Sequence, residues 1–409
     1  MTPGRGGGTY FFVTLSESVL FAEKSIMGYT QQEREFAVYF RGGVEDGYVP
    51  GTGIRIVSEV FHSSGSYRYS DGKNVASIFN SLFRSKELEH SNDDFRYYLL
   101  IPDGSAGRGA IILLHGLNER SWNKYMQWGM RLASDTGRPV VLFPSAYHMN
   151  RSPRSWIDRH LMTPLVTART TMLPDTQLST FVNVALSTRM SSSPQRFLLS
   201  GYQTLRDLAS LTGTVREGSH PHLPGGGPVD IFAYSIGALA AQVMMLSRPS
   251  LLPPESRMLL FCGGSAFGLM NGTSKLIMDS RAFERLVTFY LEWPDDKMSR
   301  DGDLFMQILN GTPEGEAFYA MTSLSRLKDI SGTPFVNTGG KLKAITFAGD
   351  RVIPAEAVSA TLQGADAEVW SPDYPFTHEN PFPVLAGDRS CEVDRTFDRL
   401  FTTAAGFFS

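Results

Sequence analysis

The chain has 409 residues, of which 42% are hydrophobic and 19% are charged, and its formal net charge is -3. This composition is typical of a globular protein with a full core, and it excludes a chain that is disordered throughout. The small negative charge, together with the lack of a finger, helix-turn-helix or basic-aromatic pattern, argues against nucleic acid as a partner.

The N-terminal residues and the cysteines bear on the compartment of the protein. Residues 1–8 are rich in glycine, and Ser16 and Glu17 interrupt the apolar stretch that follows, so we expect no signal peptide and a cytoplasmic protein. No stretch approaches the roughly 18 uninterrupted apolar residues of a membrane-spanning helix, so we expect no integral membrane segment. Cys262 and Cys391 are the only cysteines, which predicts two free thiols and no disulfide framework.

The first 90 residues carry the weakest pattern. Residues 53–61 have the pattern of a strand, but the remainder shows no clear period. We expect residues 1–90 to form an N-terminal extension packed on the core, which either lengthens the sheet or wraps around it.

From about Phe95 onward, short apolar runs alternate with helical patterns, which is typical of a parallel sheet with crossover helices. Residues 97–101 and 110–114 predict two strands that a turn-rich segment joins in a hairpin-like manner. Residues 122–133 predict an amphipathic helix that ends at Gly137. Further strands are predicted at residues 140–143, 229–234, 258–262, 343–348 and 367–370.

Two long segments between the predicted strands exceed the usual length of a loop. They lie at about residues 150–200 and 268–340, and we expect them to be helical insertions. Helical patterns at residues 201–211, 283–291 and 305–309 agree with extra helices between the strands. Either insertion is a candidate lid.

The strongest local signal is Ala233-Tyr234-Ser235-Ile236-Gly237, where an apolar strand meets a helix of small residues. This is the form of a nucleophile elbow, a sharp turn that exposes a serine hydroxyl above the sheet. The flanking residues must be small because strand and helix approach closely there. The usual pattern has glycine where this chain has alanine, and a buried serine at an ordinary turn is the alternative interpretation.

A serine hydroxyl is a poor nucleophile and requires a general base that a third group orients. His378 is the only histidine after Ser235, and it follows the last predicted strand. Asp350 lies just past the end of an earlier predicted strand and is the predicted orienting acid, with Asp366 and Asp373 as fallback candidates. A surface-loop histidine and an aspartate in a Gly-Asp turn are the alternatives.

An acyl-transfer site also needs donors for the negative charge that develops on the carbonyl oxygen. His115-Gly116-Leu117 follows the strand predicted at residues 110–114. We expect the backbone N–H of Leu117 to be one donor. The N–H of Ile236, at the positive end of the helix after Ser235, is the other.

These motifs occur in the order Ser235, Asp350, His378, and from about Phe95 to the C-terminus the chain resembles the α/β-hydrolase superfamily. The resemblance implies an α/β-hydrolase fold for residues 91–409, with a mostly parallel central sheet flanked by helices. The segments HGLNERSW from position 115 and FPSAYHMNR from position 143 also resemble a bacterial family of predicted hydrolases of unassigned function.

Several residues near these motifs are candidate substrate contacts. They are His115, Gly116, Asn118, Tyr234, His148 and Arg151. Arg151 follows a predicted strand at the edge where open α/β sheets bind ligands, so it is a candidate for an anionic substrate group. A structural ion pair is the alternative.

Two other features compete with this interpretation. His220-Pro-His222 alternates like a metal site, but it has no cysteine or acidic partner nearby in the sequence, so we expect no metal there. Ser265 is a rival serine at a strand end, but Phe267 stands where an elbow needs a small residue. We therefore expect Ser265 to lie on the floor of a pocket.

The sequence therefore predicts hydrolysis of a carboxylic ester or a related acyl compound through an acyl-enzyme on Ser235. The expected partner is a small-molecule acyl substrate, and neither a metal nor an organic cofactor is required. An acyltransferase with the same triad is one alternative. The other is a binding protein that kept the fold without catalysis, since a fold does not establish a function.

Overall fold

One sheet runs through the part of the chain that the structure describes. The structure is a computed structural model, and it describes residues 28–40, 43–65, 67, 86–105, 109–223, 225–292, 304–331, 334–335 and 338–409. Our expectations for residues 1–27 lie outside these ranges. The strands are β1 (Gly47–Val49), β2 (Ile54–His62), β3 (Asp94–Pro102), β4 (Ala110–Leu114), β5 (Val140–Leu142), β6 (Val229–Tyr234), β7 (Met258–Phe261), β8 (Leu342–Phe347) and β9 (Asp366–Trp370).

The order of the strands in the sheet is β1-β2-β3-β5-β4-β6-β7-β8-β9. The pairs from β5 through β4 to β9 are all parallel, whereas β3 pairs antiparallel with both β2 and β5, and β1 pairs antiparallel with β2. Helices flank this mostly parallel sheet. The predicted α/β-hydrolase fold is confirmed.

The predicted hairpin-like pairing of residues 97–101 with residues 110–114 was wrong. Both strands form, as β3 and β4, but β5 lies between them, and it pairs with β3 on one side and with β4 on the other. The prediction considered only the short connection. It ignored that β5 is apolar and fully buried, so that its backbone groups need partners on both sides.

Most helices occupy the connections between strands, whereas the first helix precedes β1 and the last helix follows β9. In the described residues they are α1 (Tyr29–Tyr39), α2 (Lys86–Asp93), α3 (Asn123–Thr136), α4 (Arg159–Met172), α5 (Val184–Ser192), α6 (Gln195–Arg216), α7 (Ile236–Ser247), α8 (Ser280–Val287), α9 (Leu304–Gly311), α10 (Pro313–Met321), α11 (Leu324–Ser331), α12 (Ala355–Thr361) and α13 (Arg389–Phe408). A π-helix at Thr288–Glu292 continues α8. The helical patterns at residues 201–211, 283–291 and 305–309 are confirmed by α6, by α8 with its π-helix and by α9.

The core lies in two layers, one on each face of the sheet. Side chains of a strand alternate between the faces, and β4 illustrates this. Ile111 and Leu113 pack in one layer with residues of α3 and α13, whereas Ile112 and Leu114 pack in the other with residues of α6 and α7. All four side chains are at most 1% exposed. The sheet is therefore covered on both faces, and its carboxyl edge remains for a site.

The described part of residues 1–90 contacts the core at two places. β1 and β2 extend the sheet beyond β3. α1 packs on the C-terminal helix α13, where the ring of Tyr29 stacks on Phe397 at 4.1 Å and the N–H of Thr30 donates to Asp394 at 2.7 Å.

Replacement of Glu33 by glutamine tests the packing of α1. Burial raises the pKa of Glu33 from 4.5 to about 7, and its Oε2 atom has no hydrogen-bond partner among the described residues. The folded protein therefore holds a proton that the unfolded chain releases, so the free energy of unfolding falls as the pH rises from about 4.5 to about 7. We expect Glu33→Gln to remove this dependence and to stabilise the protein at pH 8 by on the order of 1 kcal/mol.

Urea unfolding at pH 5 and at pH 8 measures this effect. Glu35→Gln is the matched control, because Glu35 is exposed on the same helix, and it is expected to leave both unfolding midpoints unchanged. If Glu33→Gln and the unaltered protein lose the same stability between the two pH values, the buried carboxyl is not the cause.

Candidate active site

Ser235 lies at the junction between β6 and α7, where its backbone has φ 57° and ψ -122°. A positive φ is costly for a residue with a side chain and persists only where the surrounding structure holds it. Gly237 allows the start of α7 to pack closely against the end of β4. A Cβ at position 237 would lie 2.9 Å from the carbonyl oxygen of Leu114 and 3.0 Å from that of His115. The turn therefore places Ser235 next to the end of β4.

The side chains of Ser235, His378 and Asp350 form one chain of hydrogen bonds. His378 Nε2 lies 2.6 Å from Ser235 Oγ, and His378 Nδ1 lies 2.7 Å from Asp350 Oδ2. Asp350 Oδ1 accepts the N–H groups of Val352 and Ile353 at 2.9 and 3.0 Å. All three side chains of the chain are buried, with residue exposures of 4 to 5%. The structure thus brings together three residues that are far apart in the sequence.

The fallback residues lie elsewhere. Asp366 binds Lys343 Nζ at 2.8 Å, and Asp373 is exposed. Ser265 is fully buried and its Oγ donates to the carbonyl of Ala266 at 2.9 Å. It lines neither of the two cavities described below, and its expected place on a pocket floor stays a prediction.

The loop that carries His378 is held from beneath. The hydroxyl of Tyr234 donates to the carbonyl of His378, and the two rings stack at 5.7 Å. Lys124 Nζ, which pairs with Glu119, donates to the carbonyl of Glu379 at 2.8 Å. Tyr234 is only 1% exposed, so the prediction that it contacts substrate was wrong. It supports the histidine loop instead.

Hydrogen bonds within the loop after β4 fix its shape. His115 Nε2 accepts the N–H of Ser145 at 2.9 Å, so its Nδ1 donates to the carbonyl of Gly116 at 2.8 Å. Burial lowers the pKa of His115 to about 4, so the ring is neutral at pH 7, as this tautomer requires. The N–H of Gly116 donates to the hydroxyl of Tyr125 at 3.0 Å. The prediction that His115 and Gly116 contact substrate was therefore wrong, because both are engaged inside the loop.

Leu117 and Ile236 line the same cavity as Ser235. Neither backbone N–H has a hydrogen-bond partner among the residues that the structure describes. Ile236 is also the first residue of α7, where the partial positive charge of a helix N-terminus is greatest. Two donors beside one hydroxyl can hold an oxyanion.

Segments of both long insertions touch the site. Asn118, which follows Leu117, donates from Nδ2 to the carbonyls of Val182 and Leu276 at 3.2 and 2.7 Å. The hydroxyl of Ser274 donates to the carboxylate of Glu379, next to His378. The side chain of Asn118 is thus engaged with the insertions, and the prediction that it contacts substrate was wrong.

Arg151 forms a buried structural ion pair. Its side chain is 0% exposed, and its NH2 atom donates to Asp207 Oδ2 at 2.8 Å. Its other guanidinium nitrogens donate to the carbonyls of Asn92 and Pro144 at 3.2 and 3.0 Å, and the guanidinium lies 3.8 Å from the centre of the Phe95 ring. The prediction that Arg151 binds an anionic substrate group was therefore wrong, because no face of the guanidinium is left for a ligand.

We expect Arg151→Ala to lower the free energy of unfolding by about 3–5 kcal/mol, because it leaves Asp207 buried without its counter-ion. Arg154→Ala is the control, since Arg154 is exposed nearby and its loss is expected to cost less than about 0.5 kcal/mol. Urea unfolding of both variants measures the difference. A fully stable Arg151→Ala protein that loses affinity only for anionic ligands would restore the substrate-binding role.

Ser235 opens into a small cavity. Ser235 has the only polar side chain among the described lining residues, and the others are Leu117, Phe197, Ile236, Phe267, Met270, Gly272, Ile277, Met278, Phe283, Val352 and Ile353. A second, larger cavity shares Leu117, Phe197 and Ile236 with the first. His148 lines this second cavity, and its predicted contact with substrate stays a prediction.

The remaining sequence features have structural roles. His220 Nε2 lies 2.7 Å from the hydroxyl of Tyr97, and its Nδ1 accepts the N–H groups of His222 and Leu223. Within the described ranges, no group of three or more histidine, cysteine or acidic side chains is arranged to hold a metal ion. Both cysteines are free thiols, as predicted. None of the described helices has the length and apolar character that crossing a membrane requires.

Sequence reasoning missed three residues that shape the site. Lys124 and Tyr125 lie in the first turn of α3, directly after the loop that follows β4. Their place next to that loop is the sequence signal that could have identified them. Phe197 lies in a long insertion without a motif, and the sequence offers no signal for it.

A family model described as "Family of unknown function (DUF6051)" matches residues 29–409. No curated protein matches the chain. Solved structures that resemble it include an esterase of Pyrobaculum calidifontis, with 12% identity, coverage of 97% of this chain and 95% of that chain, and a TM-score of 0.43. A thermostable esterase of Pseudomonas putida has 11% identity, covers 96% of both chains and has a TM-score of 0.44. At these values the likeness assigns no activity.

Proposed function

Since the chain belongs to the DUF6051 family of unknown function, its activity must be inferred from its own site, and we propose that it is a serine hydrolase. The substrate is a small carboxylic ester or a related acyl compound. Ser235 is the nucleophile, His378 the general base and Asp350 the group that orients the imidazole. The backbone N–H groups of Leu117 and Ile236 form the oxyanion hole.

Acylation begins when the Oγ of Ser235 attacks the substrate carbonyl and its proton passes to His378 Nε2. The carbonyl oxygen becomes an oxyanion, which the N–H groups of Leu117 and Ile236 stabilise. Removing one such donor typically costs about 3 kcal/mol of transition-state stabilisation. The bond to the leaving alcohol then breaks, and His378 gives that alcohol its proton. The product is an ester of Ser235.

Deacylation repeats the sequence with water as the nucleophile. Water attacks the acyl carbonyl while His378 Nε2 takes its proton, the bond to the Oγ of Ser235 breaks, and the proton returns to that oxygen. Asp350 stabilises the imidazolium formed in both halves. An alcohol or thiol in place of water would make the same site an acyltransferase.

One observation carries the proposal. Ser235 Oγ and Asp350 Oδ2 lie 2.6 and 2.7 Å from the two nitrogens of one buried imidazole. The positive φ of Ser235 supports it, because strain of this kind is concentrated at functional sites. A non-catalytic binding protein would have no use for a hydroxyl, a base and a carboxylate in hydrogen-bonded sequence.

Covalent labelling tests this proposal. We expect a fluorophosphonate probe to modify the protein at Ser235, as measured by mass spectrometry of peptides. His378→Ala is expected to abolish labelling, whereas Ser265→Ala is expected to retain it. A folded protein that remains unlabelled would favour the binding protein. Product analysis with added alcohol separates the two enzymes, since a transferase would yield a new ester where a hydrolase yields the free acid.

A further inference from the structure

The cavity at Ser235 and the larger second cavity adjoin each other. The three residues common to both linings are Leu117, Phe197 and Ile236. Leu117 and Ile236 also belong to the proposed oxyanion hole through their backbone. Phe197 belongs to the first turn of α6, and we call the three shared residues the partition.

The lining of the Ser235 cavity defines what it accepts. No charged side chain lines it, and its only polar side chain is the hydroxyl of Ser235. A charged or strongly polar group buried there would have no partner, which is costly. An aliphatic group would be stabilised by burial against residues such as Phe267, Met278 and Phe283. The cavity therefore fits an uncharged alkyl chain.

The position of His378 indicates which part of the ester enters. His378 must protonate the leaving alcohol, so the alcohol has to lie on the histidine side of Ser235. His378 does not line the Ser235 cavity, whereas both oxyanion residues do. The acyl chain therefore points into the cavity, and the alcohol points away from it.

Phe197 is held firmly in the partition. Its residue is 9% exposed, and its ring packs against Phe267, Phe318 and Tyr290 at 5.4, 5.9 and 6.0 Å between centroids. The hydroxyl of Tyr290 donates to the carbonyl of Pro194 at 2.8 Å and accepts the N–H of Leu198 at 3.2 Å. These two bonds hold the first turn of α6 in place, so the position of the Phe197 side chain is fixed.

The second cavity, on the other side of Phe197, also offers apolar surface to an alkyl chain. The second cavity is lined mainly by apolar side chains, among them Leu198, Leu205, Leu239 and Val243. Its one carboxylate, Glu314, is paired with Arg248. This cavity is more polar than the first, because Ser145, His148, Ser200, Tyr202, Thr204 and Glu314 also line it. An acyl chain that passed Phe197 would meet apolar surface along the four side chains named above.

We propose that the substrate carries an unbranched aliphatic acyl chain and that Phe197 sets its maximum length by closing the Ser235 cavity. The inference rests on the proposed function and adds the substrate class and a specificity-determining residue. Each buried methylene is worth about a fourfold gain in kcat/KM until the chain meets the ring. Longer chains then lose activity.

A ladder of p-nitrophenyl esters from acetyl to tetradecanoyl tests this with the full chain. The wild-type protein is expected to show a rise and then a fall of kcat/KM with chain length. Phe197→Ala is expected to move the maximum to longer chains and to raise the ratio of dodecanoyl to acetyl hydrolysis at least about tenfold. Val243→Ala is the control, because Val243 lines only the second of the two cavities, and it is expected to leave the position of the maximum unchanged.

Two further variants keep the test decisive if Phe197→Ala folds poorly, as judged by its Tm. Phe197→Leu is expected to move the maximum partway, and Phe197→Trp to move it to shorter chains. An unchanged maximum in the folded variants overturns the inference. A second result would also overturn it. This is a shift of the maximum that appears in a series of alkyl acetates, where only the alcohol varies, and not in the series of acyl esters.

Failure of the proposed function gives a different result. If the wild-type protein cleaves no ester, calorimetric binding of 1-alkanols from butanol to dodecanol still reports on the partition. Affinity is then expected to rise about fourfold per methylene up to a limit, which Phe197→Ala extends to longer alkanols. Equal limits in both proteins overturn the role of Phe197 independently of catalysis.

Discussion

Replacement of Ser235 by alanine is expected to lower kcat for ester hydrolysis by at least about 10⁴-fold, because Ser235 Oγ is the only hydroxyl among the described residues that bonds to His378 Nε2. KM is expected to change little, since the hydroxyl contributes mainly to the transition state. Alanine retains the Cβ that the positive φ of this turn already accommodates, so the variant is expected to fold. Steady-state kinetics on a chromogenic ester, with circular dichroism and Tm as checks of folding, measure the loss.

Ser265→Ala is the matched control for this substitution. Ser265 is a buried serine that follows the neighbouring strand β7 and bonds to the carbonyl of Ala266. Its loss is expected to leave kcat within about twofold. If Ser235→Ala retained activity and Ser265→Ala lost it, the nucleophile would be Ser265 and the proposed mechanism would be refuted.

Asp350→Asn is expected to lower kcat by about 10⁴-fold with the fold intact. The backbone N–H groups of Val352 and Ile353 require an acceptor at the Oδ1 position, so the amide oxygen of the replacement takes that place. Its NH₂ group then faces His378 Nδ1 and donates to it. This fixes the proton on Nε2, and the imidazole can no longer accept the proton of Ser235.

Asp366→Asn is the control, because Asp366 pairs with Lys343 away from the site, and its activity is expected to stay near that of the wild type. Kinetics at saturating ester separate the two variants. A drop in kcat of less than about tenfold for Asp350→Asn would contradict the orienting role and point to another acid.

The hydrogen-bonded arrangement of Ser235, His378 and Asp350 was predictable, because Ser235 and Asp350 each follow the end of a buried strand. Parallel strands present their carboxyl ends at one edge, so the short motifs around Ser235, Asp350 and Leu117 carry information about distance in space. His378 was identified because no other histidine follows Ser235. The resemblance of these motifs to the α/β-hydrolase superfamily supplied the order of the three residues along the chain, which is serine, aspartate and histidine.

The roles of the other residues near the site depend on tertiary contacts that no local sequence pattern indicates. Arg151 has the sequence position of a ligand-binding residue, yet its partner Asp207 comes from a helix 56 residues away. Tyr234 adjoins the nucleophile in sequence but points to the carbonyl of His378. Half of the residues that line the Ser235 cavity come from the long insertions, whose packing is tertiary. The extent of this cavity was therefore beyond a single-sequence prediction.

The bonds of Asn118 to the carbonyls of Val182 and Leu276, and of Ser274 to Glu379, tie both insertions to the loops that carry Leu117 and His378. If one insertion swung outward to admit substrate, Asn118 would lose an acceptor next to the proposed oxyanion donor Leu117. The histidine loop would keep its bonds to Tyr234 and Lys124. Opening would therefore weaken the oxyanion hole before it disturbed the base.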